Sequence, residues 1–238
     1  MNIWGRLAVA ASVAWSASTA FALTDTSSRH GEPASVLASV DASSDARYVE
    51  HWIRAKGDDH GRPFVIVDKK AARIYVFGAG GGLVGMSHTL LGQSRGDIPV
   101  PGAGQKNPAS LLPDERKTPA GRFDSQPGRN LHGEAVVWVD YDTGIAIHRV
   151  RPGQSQAQRL NNLATDDPDN KRMSLGCVVV PEPFFLSVVL PTLGHGHGTV
   201  YVLPEDEPVQ AMFDDPRAGA AVAAHRPDAG GRVSVSVR

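Results

Sequence analysis

Ser174-Leu175-Gly176-Cys177 sets the only cysteine of the chain directly behind a glycine. Upstream, Gly144-Ile145-Ala146-Ile147-His148 is a short apolar run that ends in a histidine. A thiol and an imidazole brought together are a nucleophile and the base that takes its proton. A free thiol with a pKa near 8.5 is only a few per cent ionised at neutral pH, yet it is intrinsically very nucleophilic. A neighbouring histidine is expected to lower that pKa. Gly176 lets the chain approach a substrate closely, and the amides of Gly176 and Cys177 are candidates to hold an oxyanion. Loss of one such donor costs about 3–4 kcal/mol of barrier stabilisation. From residue types and spacing alone, three fates stay open for Cys177: pairing with another molecule, inert packing beside Val178-Val179-Val180, or nucleophilic catalysis.

The elements that must position this pair read mostly as strands. Phe64-Val65-Ile66-Val67 and Arg73-Ile74-Tyr75-Val76-Phe77 are rich in β-branched and aromatic residues, with Asp68 to Ala72 as the turn between them. Gly78-Ala79-Gly80-Gly81-Gly82 reads as a hairpin turn into a third strand, Leu83 to Leu91. The run lacks the Lys-Ser/Thr of a phosphate loop. Residues 92–134 read as loop, apart from the compact turn and strand Thr118-Pro119-Ala120-Gly121-Arg122-Phe123. Further strands are expected at Ala135 to Val139, Gly144 to His148, Cys177 to Val180 and Gly198 to Leu203. Short helices are expected over Asp45 to Lys56, with Val49, Trp52 and Ile53 on one face and Gly57 as the stop. Two more are expected over Gln156 to Ala164, with Leu160, Leu163 and Ala164 facing inward, and over Pro183 to Leu190 with proline in the first turn. The fold class that follows is mainly β.

Composition narrows the function classes. With 24 Lys and Arg against 25 Asp and Glu, the net charge is −1 and offers no field for nucleic acid or anionic lipid. Residues 1–22 read as a signal peptide: Arg6, then the apolar Leu7 to Trp15, then Ala20-Phe21-Ala22 as a cleavage site before Leu23. The expected destination is the periplasm, with no membrane span afterwards. Residues 23–61 read as a linker with a short helix, 62–204 as the catalytic domain, and 205–238 as a flexible tail. Asp166 to Asn170 lacks the central Gly and closing Glu of a calcium loop. His195-Gly196-His197 has no third ligand nearby and reads as a solvated loop. His88 and His132 are alternative candidates for the base, but each reads as a strand or loop residue. No metal or organic cofactor is expected.

Ile147-His148 followed by Ser174-Leu175-Gly176-Cys177-Val178 resembles the signature of the YkuD-type L,D-transpeptidases. Thr118 to Phe123 is similar to that family's Thr-Pro-x-Gly-x-Phe element. Phe64 to Phe77 resembles its opening strand pair and Gly198 to Leu203 its closing strand. The resemblance covers about residues 62–204. It implies a β-sandwich or barrel catalytic domain with a few short helices, acting on peptidoglycan stem peptides through a thioester. It implies Cys177 as nucleophile, His148 as base, the Arg149 carbonyl as the group orienting that base, and Ser174 and Gly176 as shapers of the thiol loop. The sequence departs from the family at Leu175, where a second histidine is usual, and at Val179, where Arg or Asn is usual. Arg149, Arg151 and Arg172 are candidate replacements for the lost polar group. The long interval from Arg149 to Met173 implies an inserted flap. A hydrolytic relative and a non-catalytic wall-binding descendant remain the alternatives.

Overall fold

The computed structural model describes residues 35–214. The signal-peptide and C-terminal expectations for residues 1–34 and 215–238 lie outside the described residues.

Ten strands carry the architecture. They are β1 (Phe64–Asp68), β2 (Arg73–Phe77), β3 (Leu83–His88), β4 (Leu91–Gly92), β5 (Gly121–Arg129), β6 (Ala135–Asp140), β7 (Ile145–Arg149), β8 (Arg172–Ser174), β9 (Val178–Val180) and β10 (Gly198–Val202). Eight of them form one sheet in the order β3-β2-β1-β10-β5-β6-β7-β9, while β4 and β8 pair separately. The pairs β1–β10 and β7–β9 are parallel, and the other pairs in the large sheet are antiparallel.

The sheet rolls almost into a barrel. β5 pairs with β10 along its first half and with β6 along its second, so it turns the corner between them. At the seam, Leu90 bridges Val179 through two backbone hydrogen bonds of 2.7 and 2.9 Å. Sequence reasoning ended β5 at Phe123, because Asp124 to Arg129 has no apolar alternation. It also ran the third strand unbroken to Leu91. The chain instead bends at Thr89, whose hydroxyl donates to the Val179 carbonyl (3.0 Å), and this bend is what makes the seam.

Alternation sends one face of each strand inward. Val65, Val67, Ile74, Val76, Val137, Ile145, Ile147, Val178, Val180, Val200 and Val202 share one core. A helical segment plugs it: α3 (Glu182–Phe184), a π-helical stretch Phe185–Val189 and α4 (Leu190–Leu193). Phe185, Val189 and Leu193 are its buried residues. Pro191 lacks an N–H and crowds the carbonyl one turn back, so the ladder widens there, with the Leu190 amide on the Phe185 carbonyl.

A second core lies on the other face of β1, β2 and β10. There α1 (Ser44–Lys56) packs Ala46, Val49 and Ile53 against Phe64, Tyr75, Phe77 and Tyr201. Ser43 caps it by accepting from the Ala46 amide, and Gly57 closes it at φ +61°. Residues 205–214, assigned above to the tail, include α5 (Val209–Phe213), whose Val209 and Phe213 join this core.

Candidate active site

The β7–β9 register sets His148 beside Val179 and Ile147 beside Val178. Ile145 and Ile147, like Val178 and Val180, point into the barrel. His148, on β7, and Cys177, immediately before β9, therefore fall on the opposite face. Both line one cavity of about 470 Å³.

The histidine is fixed by one bond. Its Nδ1 lies 2.7 Å from the Arg149 carbonyl, which can only accept, so Nδ1 carries the hydrogen and Nε2 keeps the lone pair. Burial pushes the ring down to about 4; the bond to Arg149 opposes this, and the Arg151 and Arg159 guanidiniums add to it. The thiol is half-buried, with Sγ donating to the Gly144 carbonyl at 3.6 Å. Burial pushes its pKa up, against the Ala146 backbone and the Arg151 charge. The resting pair is therefore a neutral thiol and a neutral imidazole. This overturns the expectation that the histidine lowers the thiol pKa: desolvation of the anion outweighs a partner that is itself uncharged.

The loop before Cys177 is held from three sides. The Ser174 hydroxyl donates to the Cys177 carbonyl (2.6 Å) and accepts from the Gly176 amide (3.1 Å). The Gly176 amide is thus already engaged, and the expected oxyanion pair is reduced to the Cys177 amide. The Thr118 hydroxyl donates to the Gly176 carbonyl (2.8 Å) and accepts from the Gly92 amide (2.9 Å), so the Thr-Pro-x-Gly-x-Phe element ties β4 to the thiol loop. Gly176 itself sits at φ +130°, and a Cβ there would lie 2.8 Å from both the Lys117 carbonyl oxygen and Ile145 Cδ1. Only glycine fits; the close approach it permits is to the protein's own backbone.

The interval between His148 and Cys177 contains α2 (Gln156–Ala164), at the bounds expected. Its Leu163 packs with Leu90, Val150 and Val179. Leu160 and Ala164 are exposed instead of inward-facing, because one apolar contact suffices to dock so short a helix. Of the candidate replacement arginines, Arg149 pairs with Glu134 (2.8 Å) and Glu182 (3.0 Å), and Arg172 pairs with Glu205. Arg151 lines the cavity and shares Glu134 at 2.9 Å. Sequence reasoning missed Arg159, which also lines the cavity. Its place one helical turn before the buried Leu163 was the available signal.

Leu175 is 39% exposed and lines the cavity, as do Trp138 and Tyr141 in edge-to-face contact. His132 is also a lining residue, on an exposed turn. His88 bonds the Leu163 carbonyl through Nδ1 (2.9 Å) and anchors α2. Among the described residues, no cluster of His, Cys, Asp and Glu could hold a metal ion, and no helix is long and apolar enough to cross a membrane.

No family model matches the chain, and no curated protein matches it. Among solved structures it is similar to the helical cell shape determining protein Pgp2 from Campylobacter jejuni. That match has 16% identity, covers 68% of this chain and 58% of that one, and has a TM-score of 0.40. It is similar to a cysteine-to-serine mutant of the Enterococcus faecium L,D-transpeptidase at 18% identity, 60% and 50% coverage, and a TM-score of 0.31. An L,D-transpeptidase in complex with imipenem matches at 16% identity, 59% and 58% coverage, and a TM-score of 0.34. The chain spans about half the length of these solved proteins.

Proposed function

We propose that this chain is a periplasmic, cysteine-dependent acyltransferase of the L,D-transpeptidase type, acting on peptidoglycan stem peptides through a thioester. The observation that carries the reading is one cavity lined by both Cys177 and His148, with the imidazole held in the tautomer that leaves Nε2 free to accept a proton.

The thiol proton passes to His148 Nε2 as Sγ attacks the carbonyl carbon of the donor. The Cys177 amide stabilises the oxyanion that forms. The intermediate collapses, the C–N bond breaks, and the leaving amine takes the proton from His148. A second amine then attacks the thioester, gives a proton to Nε2, and releases Sγ, which recovers that proton. The neutral resting state suits this sequence, since the base must begin unprotonated and the thiol gives up its proton only on attack. Ser174, Gly176 and Thr118 act by holding the loop. The mass of the intact chain after incubation with a carbapenem tests the nucleophile: one adduct, lost in Cys177→Ala, is expected. Tetrapeptide stems then separate the outcomes, since cross-linked product marks a transferase and shortened stems mark a hydrolase. Absence of any adduct, with stem binding that survives Cys177→Ala, would leave a non-catalytic wall-binding protein.

A further inference from the structure

The charges around the cavity are unevenly matched. Arg151 and Arg159 line the cavity with His148, and among the described residues their only carboxylate partner is Glu134, which Arg151 shares with Arg149. The Arg159 guanidinium has no ion pair and no hydrogen bond among the described residues, and its Nε is sealed from solvent without an acceptor. A buried guanidinium donor left without a partner is costly to hold. Its place in the fold is set by α2, which Leu163 docks onto Val150 and Val179, two residues beyond the nucleophile. Arg159 is one turn away on the same helix face and lines the cavity with His148 and Cys177. Two other basic lining residues lack an ion pair: Arg129, whose guanidinium donates to the Gly133 carbonyl (2.6 Å), and Lys117, whose Nζ lies toward Gly96.

We infer that Arg159 is a substrate-binding residue that holds a carboxylate of the donor peptide beside the scissile bond, so that the chain selects anionic donors. This rests on the reading of the cavity as a cysteine acyltransferase site. The planar fork of a guanidinium matches a carboxylate in two parallel hydrogen bonds, which a lysine ammonium cannot reproduce. The helix thereby supplies a cation to the cavity wall that Val179 also lines. Arg151, half-satisfied by Glu134, adds to the positive potential without being free to form the same fork.

Two measurements on the full chain test this. The first needs no peptide chemistry: the rate of Cys177 alkylation by iodoacetate, an anion, is divided by the rate with neutral iodoacetamide. Arg159→Gln is expected to lower that ratio about three- to ten-fold, the effect of one nearby charge at a partly solvated site. The second is calorimetric binding of a stem tetrapeptide and its fully amidated counterpart to Cys177→Ala. The acid is expected to bind about ten-fold more tightly than the amide. Arg159→Gln should erase that preference, leave the amide's affinity unchanged, and not be rescued by Arg159→Lys. An unchanged alkylation ratio in Arg159→Gln overturns the inference even if thioester chemistry is established. A lowered ratio in a chain that neither binds nor is acylated by the stem upholds the anion site and removes only the peptidoglycan reading.

Discussion

The pH dependence of Cys177 reactivity tests the neutral resting pair directly. Burial holds His148 near 4 and lifts the thiol above its ordinary value. With a thiol pKa above about 8.5, less than about 3% is thiolate at pH 7. Alkylation by iodoacetamide, which needs only the thiolate, should rise about ten-fold per pH unit from pH 6 to beyond pH 8, without a plateau. Acylation by a stem peptide needs the neutral imidazole, and about nine-tenths of His148 is neutral one unit above its pKa. That rate should therefore stay flat down to about pH 5 and fall below pH 4. His148→Ala separates the two reactions: acylation falls by about 10²–10⁴, the usual contribution of a positioned base, while the alkylation profile barely moves. The assay is stopped-flow alkylation and single-turnover acylation across pH 4–10. A plateau in alkylation between about pH 5 and pH 8, abolished in His148→Ala, would reveal a preformed thiolate–imidazolium pair and refute the reasoning.

Thr118→Val keeps the shape but leaves the Gly92 amide and the Gly176 carbonyl unpaired in the interior. It should cost about 2–5 kcal/mol in urea unfolding and slow acylation by loosening the thiol loop. Gly176→Ala must move both the Lys117 carbonyl and the Ile145 side chain, so intact-mass labelling should show a sharply less reactive Cys177. Lys69 is fully buried, with Nζ on Asp97 (2.6 Å), Glu205 (3.4 Å) and the carbonyls of Gly96 and Thr118. Lys69→Met leaves Asp97 without its cation, while Glu205 keeps Arg172, and should destabilise by about 3–5 kcal/mol in the same unfolding assay. For His148, the folded ring lies below the unfolded value near 6.5, so the unfolded chain binds more protons between those two pH values. Stability should fall by up to about 3 kcal/mol as pH drops from 6.5 to 4, and His148→Gln should remove that dependence from the unfolding midpoints.

The sequence disclosed what depends on local pattern. The strands of the two cores are runs of β-branched and aromatic residues, and α1 carries an apolar face and a glycine stop, so both were legible. The second half of β5 was not, because Asp124 to Arg129 gains its partner from β6 across a turn and has no apolar alternation to announce it. The shared face of His148 and Cys177 depends on a parallel register that no local signal encodes. The engaged amide of Gly176 follows from one serine rotamer, and the role of Arg159 depends on where its helix docks. The direction of the thiol shift is collective in origin, since it comes from how closely the whole cavity wall surrounds one atom.

The parallel pairing of β1 with β10 sets Phe64 beside Thr199, and every strand that builds the cavity lies in the chain between these two. Contacts so distant in sequence form slowly. A growing chain thus cannot complete its central sheet until the residues after Gly198 have arrived. Shortening it ahead of that point would strand β1 as an unpaired apolar rim and expose an aggregation-prone edge. The order of assembly therefore protects the thiol: Cys177 gains His148 as a cavity neighbour and its enclosing wall only when nearly the whole molecule is in hand.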